Sequence, residues 1–281
     1  MPELPEVEIT ARDMAAQINQ RSIVAIEKLD WERMVETPTI ELFRATLPGR
    51  QIIDVGRRAK WVLFTLDAGW TMTIHLRMSG RLFVHPPEVR ADEHTHLVLA
   101  LDDGRRLFFH DTRKFGRVNL LDADGLTRLS QRYGPEPLSK QFTHAVLKQI
   151  VQQRSTRLKP LLLDQACIAG LGNIYVDESL WESRLHPLRT AASLSDAEIA
   201  RLHRAIRRVL RTALDHGGST LRDYRDGYGQ RGQHQYHFSV YQRTNTPCPR
   251  CKTPIVRLQV VQRSTHLCPQ CQPAPDDTKF G

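Results

Sequence analysis

No run of about 18 uninterrupted apolar residues occurs in the 281-residue chain, so it has no segment suited to cross a bilayer as a helix. The basic start of a secretory signal is missing too: MPELPEVEIT carries glutamates where positive charge belongs. There is no internal repeat, which excludes solenoid and propeller arrays. Cysteine is scarce, five residues in all, with four of them gathered near the C-terminus. Net negative charge is absent as well. Forty Lys and Arg against 31 Asp and Glu give +9 and a pI of about 9.6, a balance that favours polyanionic partners through counterion release. The expectation is a cytoplasmic protein with nucleic acid as its leading partner, no membrane partner and no obligate protein partner. The length suits about two domains and a smaller third unit.

The four clustered cysteines form the array Cys248-x2-Cys251-x16-Cys268-x2-Cys271. Two Cys-x-x-Cys knuckles around a hairpin-sized insert offer one Zn²⁺ four thiolates in a closed tetrahedral shell. Such a zinc is structural, since a catalytic one keeps a position open. Two disulfides are the alternative, disfavoured in a long chain without a secretory signal. Cys167 lies in an apolar stretch and reads as a buried small hydrophobe.

Along the chain, Val7, Ala11, Met14, Ala15 and Ile18 recur at helical spacing, with Pro5 at a position that starts helices. From Ser22 to about Leu121 short β-rich runs follow (SIVAIEKL, QIIDVG, KWVLFTL, TMTIHL, HLVLAL, RLFFH, RVNLL), which predicts an antiparallel sandwich. Pro135 and Pro137 mark a linker into helical periodicity. Ser195-x-x-Glu198 predicts a capping box for a long helix whose apolar stripe runs from Ile199 to Ala213 and ends before Gly217 and Gly218. Its other faces carry five arginines, either a solvated face or a phosphate-facing one. Residues 217–235 have no period and read as a mobile loop. The expected fold class is α+β and multidomain. Its parts are an N-terminal helix with a β-sandwich over 1–134, a helical DNA-binding domain over 135–235, a zinc hairpin over 236–272 and a disordered tail over 273–281.

Proline at position 2 has chemical meaning if Met1 is removed, because a secondary amine is then exposed. A terminal amine with a pKa near ~8 is roughly a tenth unprotonated at pH 7, whereas a lysine near ~10.4 is below about one part in a thousand. A free Pro2 could attack an electrophilic sugar carbon and form an iminium. Glu3 and Glu6 stand beside it at a helix start, where one could serve as acid or base. With Met1 attached, Pro2 has only an amide nitrogen, so the expected active form begins at Pro2.

Five motifs in order, MPELPEVE, HLRMSG, DTRKFGR, GLGNIYVDE and the zinc pair, make the chain resemble the bacterial formamidopyrimidine-DNA glycosylase family from residue 1 to about 272. The resemblance implies a bifunctional DNA glycosylase and abasic-site lyase that excises oxidised purines such as 8-oxoguanine and formamidopyrimidines from damaged double-stranded DNA as a monomer. It implies that Pro2 attacks C1′, that Glu3 protonates the opening sugar, and that β,δ-elimination then cuts the strand. An everted nucleotide leaves a void. Met78, Arg113 and Phe115 match the family's void-filling trio, although Met78 and Phe115 alone would read as core filler.

The resemblance also places Lys60, grouped with the catalytic residues, together with His75, Asn173 and Arg263 on phosphates. Judged alone, Lys60 is a solvated surface lysine. His75 alternates with apolar neighbours as if on the polar side of a strand, and Asn173 is a helix cap after a glycine turn between two helices, LKPLLLDQACIA and IYVDESLWESRL. Arg263 falls near the turn of a hairpin that zinc would make rigid. Glu178 matches a family carboxylate with a structural role or one orienting the N-terminus, and Glu6 is a similar candidate. Two departures stand out: Arg77 replaces the glycine usual in relatives, and the loop DYRDGYGQRGQHQYHFSVYQR, which closes over the everted base in relatives, is unusually worded. Competing readings are excision of oxidised pyrimidines, as in the endonuclease VIII branch, and a non-catalytic damage-binding protein.

Overall fold

The computed structural model describes residues 1–275. It divides into two compact units, one of Met1–Arg132 with Leu214–Gln235, the other of Tyr133–Ala213 with the chain from Tyr236 on. The tail expected over 273–281 lies largely outside the described residues.

The first unit begins with helix α1, Leu4–Ile18, which starts where Pro5 can sit without losing a hydrogen bond. Of the stripe that the spacing predicts, Val7, Ala11, Met14 and Ile18 are buried and Ala15 is partly buried against the same core, with Leu4 buried as well. Strand β1 (Ile23–Leu29), β2 (Val35–Thr37), helix α2 (Ile40–Thr46), β3 (Ile52–Arg58), β4 (Trp61–Leu66), β5 (Thr71–His75), β6 (Arg81–His85), β7 (Thr95–Leu101), β8 (Arg106–His110), β9 (Arg117–Leu121) and helix α3 (Ala123–Gln131) follow. The strands make two sheets, in orders β1-β7-β8-β6 and β2-β9-β5-β4-β3. Every pairing is antiparallel except that of β2 with β9. Phe64, Met72 and Ile74 of one sheet join Leu97, Leu99 and Phe109 of the other, together with α1, in one buried core. Each such side chain contributes about 1.5–3 kcal/mol on burial. All seven runs read from the sequence as strands are strands; β2 and β6 were not among them.

Residues 214–235 were expected to belong with the helical domain, but they cluster with this first unit. Glu6 is the cause. Glu6 Oε1 accepts the Ser219 backbone N–H at 2.8 Å, the Tyr224 hydroxyl donates to the Glu6 carbonyl at 3.3 Å, and Asp13 Oδ2 accepts the Gly227 N–H at 2.8 Å. Gly227 approaches so closely that a Cβ there would lie 2.6 Å from the Asp13 Cβ. The segment is irregular and at the same time tied to α1.

The second unit holds α4 (His144–Gln152), α5 (Leu158–Leu163), α6 (Asn173–Ser183), most of α7 (Asp196–Asp215) and the hairpin β10 (Val256–Val260) with β11 (Arg263–Leu267). The capping box of α7 is present: Ser195 N–H donates to Glu198 Oε2 at 2.8 Å and Glu198 N–H to Ser195 Oγ at 3.3 Å. Ile199, Leu202, Ile206, Leu210 and Ala213 are its buried stripe. Helix α5 is shorter than LKPLLLDQACIA suggested. Asp164 turns extended at its end and accepts the Ala166 N–H at 2.9 Å, a local turn that competes with further helix. Cys167 is 5% exposed, and burial pushes its thiol upward, as befits an unreactive core residue.

Candidate nucleic-acid interface and metal centre

Pro2 is buried directly before α1, and Glu3, 3% exposed, is the residue that caps the helix. The Glu3 side chain accepts a backbone N–H of the first turn, while Glu6 Oε2 accepts the Glu3 N–H at 2.8 Å. Glutamate thus does here what Ser or Thr does in the usual capping box. Since the other oxygen of Glu6 holds Ser219, one buried side chain fixes the positions of residue 3 and of the loop together.

Two neighbouring turns present Met78, Arg113 and Phe115. Asp111, fully buried, organises both: Oδ1 accepts the Ser79 hydroxyl at 2.5 Å and the Arg113 N–H at 3.2 Å, and Oδ2 accepts the N–H groups of Phe115 at 2.8 Å and Gly116 at 2.7 Å. Gly116 has no room for a Cβ, because the Phe109 ring and Asp111 fill that space. Held in this way, Met78 is 40% and Phe115 47% exposed. Neither is core filler. Arg113 lies against the first of them, with Nη2 3.5 Å from the Met78 carbonyl and Nε 3.3 Å from Ser79 Oγ. Its Nη2 also donates to Asp223 Oδ2 at 3.1 Å.

Lys60 and His75 occupy the same five-stranded sheet and are both buried, contrary to the surface positions that their sequence neighbourhoods suggest. Lys60 sits in the β3–β4 turn at 6% exposure. His75 ends β5, a central strand with no solvated side, and packs edge-on against the Trp61 ring at 4.9 Å. Burial, then the charges of Arg77 and Lys60, lower its pKa to about 3. The ring is neutral at pH 7, and because Nδ1 accepts the Arg77 N–H at 3.0 Å, Nε2 carries the proton. Arg77 itself has φ 53, the left-handed region that a glycine adopts without strain, and its side chain is exposed.

In the second unit Asn173 is the first residue of α6, and Gly172, not Asn173, is the cap. Its Nδ2 donates to the Ser264 carbonyl at 2.8 Å on β11. Lys159 Nζ reaches the same carbonyl at 3.1 Å and Asp177 Oδ1 at 2.6 Å, with both side chains of that ion pair fully buried. Asp177 Oδ2 in turn accepts the His266 N–H at 2.9 Å. The hairpin is thereby locked onto α6. Its two-residue turn, Val261 and Gln262, has both residues at positive φ (46 and 61), and exposed Arg263 follows at once. Glu178 accepts three consecutive N–H groups, those of Ser239, Val240 and Tyr241, each at 2.9 Å, a structural clasp on the strap leading to the cysteines. Burial pushes its carboxyl upward against the pull of those three donors.

Cys248, Cys251, Cys268 and Cys271 bring their sulfurs within 4.8 Å of one another. The 3.9 Å between Cys248 and Cys271 sulfurs, and 3.3 Å between those of Cys251 and Cys268, bracket the separation of about 3.8 Å implied by Zn–S bonds of about 2.3 Å in a tetrahedron. The four fit one structural Zn²⁺. Trp181 Nε1 donates to Cys248 Sγ at 3.4 Å, an outer contact that would orient that ligand, and Arg250 stacks on the Trp181 ring at 4.1 Å.

Sequence reasoning missed Ser79, Asp111, Lys159, Asp177 and Asp223. Lys159 carried a signal, as a lone cation within the apolar run LKPLLL. Asp111 carried none, because a loop aspartate before Thr and Arg looks solvated.

Comparison with known proteins agrees with this geometry. Residues 1–118 match the model of the formamidopyrimidine-DNA glycosylase N-terminal domain, 133–225 that of the formamidopyrimidine-DNA glycosylase H2TH domain, and 246–274 a zinc finger found in FPG and IleRS. The formamidopyrimidine-DNA glycosylase of Roseiflexus sp. (strain RS-1) is 57% identical, over 97% of this chain and 100% of that protein. Wild-type Lactococcus lactis Fpg (MutM) in complex with N7-benzyl-Fapy-dG DNA superposes with a TM-score of 0.90 at 34% identity, covering 97% and 100% of the two chains. MutM in complex with carbocyclic 8-oxo-G DNA gives 0.89 at 34% identity, with the same coverage.

Proposed function

The chain belongs to the formamidopyrimidine-DNA glycosylase family, and from that premise we propose that it removes oxidised purines from duplex DNA with Pro2 as its nucleophile. It is a DNA glycosylase of base excision repair that acts on damaged DNA and carries one structural zinc site. Family membership is consistent with abasic-site lyase activity. No helix among the described residues is long and apolar enough to cross a membrane. On this reading its place of action is the cytoplasm, at the nucleoid.

The observation that carries the reading is the trio on the Asp111-latched turns. Exposing Met78 and Phe115 gains nothing for folding, and setting an arginine between two apolar wedges suits a hole in a base stack. The wedges fill the space left by an everted nucleotide, and Arg113 satisfies the orphaned base. Lys60, His75, Asn173 and Arg263 hold phosphates; His75 does so as a neutral N–H donor. Zinc, when bound, supplies rigidity to the hairpin that presents Arg263 and takes no part in bond making.

In the chemistry, the Pro2 nitrogen bonds to C1′ as the bond from C1′ to the purine nitrogen breaks, and the departing base takes a proton from water. The Glu3 carboxylate takes the proton that the amine nitrogen sheds and passes it to O4′ as the C1′–O4′ bond breaks, giving an iminium between Pro2 and C1′. Loss of a C2′ proton expels the 3′ phosphate, and a second elimination expels the 5′ phosphate. The test is borohydride trapping of the Met1-free protein on duplexes carrying 8-oxoguanine, an oxidised pyrimidine or no lesion. A covalent adduct forming fastest with 8-oxoguanine supports the reading. Faster trapping on the pyrimidine would reassign the substrate, and no adduct on any duplex would leave only a damage-binding role.

A further inference from the structure

We infer that Asp223 is a specificity-determining residue: its carboxylate competes with the orphaned base for Arg113 and so sets how strictly the enzyme demands a particular opposite base. The inference rests on the proposed role of Arg113 in reading that base.

The guanidinium has few places to go. Nε is spent near Ser79 Oγ, Nη1 faces the Met78 sulfur at 3.8 Å, and Nη2 lies between the Met78 carbonyl and Asp223. Among these partners only Asp223 is charged, and both side chains of the pair are 35% exposed, accessible to an incoming base. Asp223 comes from the 214–235 segment that Glu6 and Asp13 fasten to α1 at Ser219 and Gly227. It flanks Arg113 from a segment anchored on either side of it. A carboxylate offers a guanidinium two adjacent acceptor oxygens.

Cytosine offers a similar pair on its Watson–Crick edge, N3 and O2, and can therefore replace the carboxylate with little loss. Adenine presents N1 beside an N6 amino group, one acceptor and one donor, and the donor meets the guanidinium N–H groups unfavourably. With cytosine opposite the lesion, Arg113 transfers to the base and the productive state is close to fully populated. With adenine opposite, Asp223 retains Arg113 in a large share of complexes, and only the remainder proceeds. Because population saturates on one side alone, removing the competitor helps the poor opposite base more than the good one.

The measurement is single-turnover excision of 8-oxoguanine placed opposite cytosine or adenine, by wild type and by Asp223→Asn, Asp223→Glu and Arg113→Ala. Asp223→Asn keeps the shape and removes the charge. It should raise the rate opposite adenine by about two- to fivefold, the range that an ion pair of this exposure supports, with less than about a twofold change opposite cytosine. Asp223→Glu should restore the wild-type ratio, which a merely structural role would not predict. An unchanged cytosine-to-adenine ratio in Asp223→Asn, while Arg113→Ala alters it, overturns this inference and leaves the reading of Arg113 standing. If Arg113→Ala also leaves the ratio unchanged, the role of Arg113 fails and this inference with it.

Discussion

A single side chain can change character with its place in a sheet, and His75 shows how far. In the sequence it alternates with Ile74 and Leu76 like a solvated strand residue, yet the sheet order puts β5 between β4 and β9, and the ring is 9% exposed. Its pKa falls from the ordinary 6.5 to about 3. Between those values the unfolded chain binds a proton that the folded chain refuses. Stability is therefore fully retained above about pH 6.5 and is lost as pH drops toward 3, by at most about 1.4 kcal/mol per pH unit. Removing the ring in His75→Gln should remove that slope. The difference in unfolding free energy between wild type and variant should be flat above pH 7 and shrink from pH 6 to pH 4; a constant difference would mean that the folded ring accepts the proton. The identities of Pro2, Glu3, Met78, Arg113 and Phe115 as candidates were legible from motif wording. The buried aspartate that aims three of them was not, because Asp111 acts through the Ser79 hydroxyl and backbone N–H groups, contacts that no residue pattern encodes.

Elements were legible where periodicity was long and illegible where a local bond cut it short. Helix α7 and its cap followed from spacing, while α5 stopped early at the Asp164 turn. The hairpin β10–β11 also followed from spacing. Its attachment to α6 did not, since it runs through the buried Lys159–Asp177 ion pair, residues 18 apart that also bond Ser264 and His266 of β11. Breaking a buried pair from one side strands a charge and costs about 3–5 kcal/mol, whereas neutralising both partners costs much less. Lys159→Met should therefore destabilise the protein strongly in urea unfolding. Adding Asp177→Asn, which keeps an oxygen for the His266 N–H, should recover a large part of the loss. Additive losses in the double variant would show that the hairpin does not depend on that pair.

At the scale of the whole molecule, the charge of +9 announced a polyanionic partner, and the zinc pair announced a small module that metal makes rigid. The chain order hid the membership of residues 214–235, which lie far from α1 in sequence and are bound to it through Glu6 and Asp13. Their company with Pro2 and Glu3 gives the first unit both the proposed nucleophile and the segment that carries Asp223. The central claim is that the amine of residue 2 becomes bonded to the sugar. It is tested most directly by borohydride-trapping the protein on an 8-oxoguanine duplex, digesting the adduct and sequencing the modified peptide by mass spectrometry. The account predicts a peptide that begins at Pro2, lacks Met1 and carries the reduced sugar on its terminal nitrogen. A sugar found on a lysine, or an active enzyme that retains Met1, would contradict it.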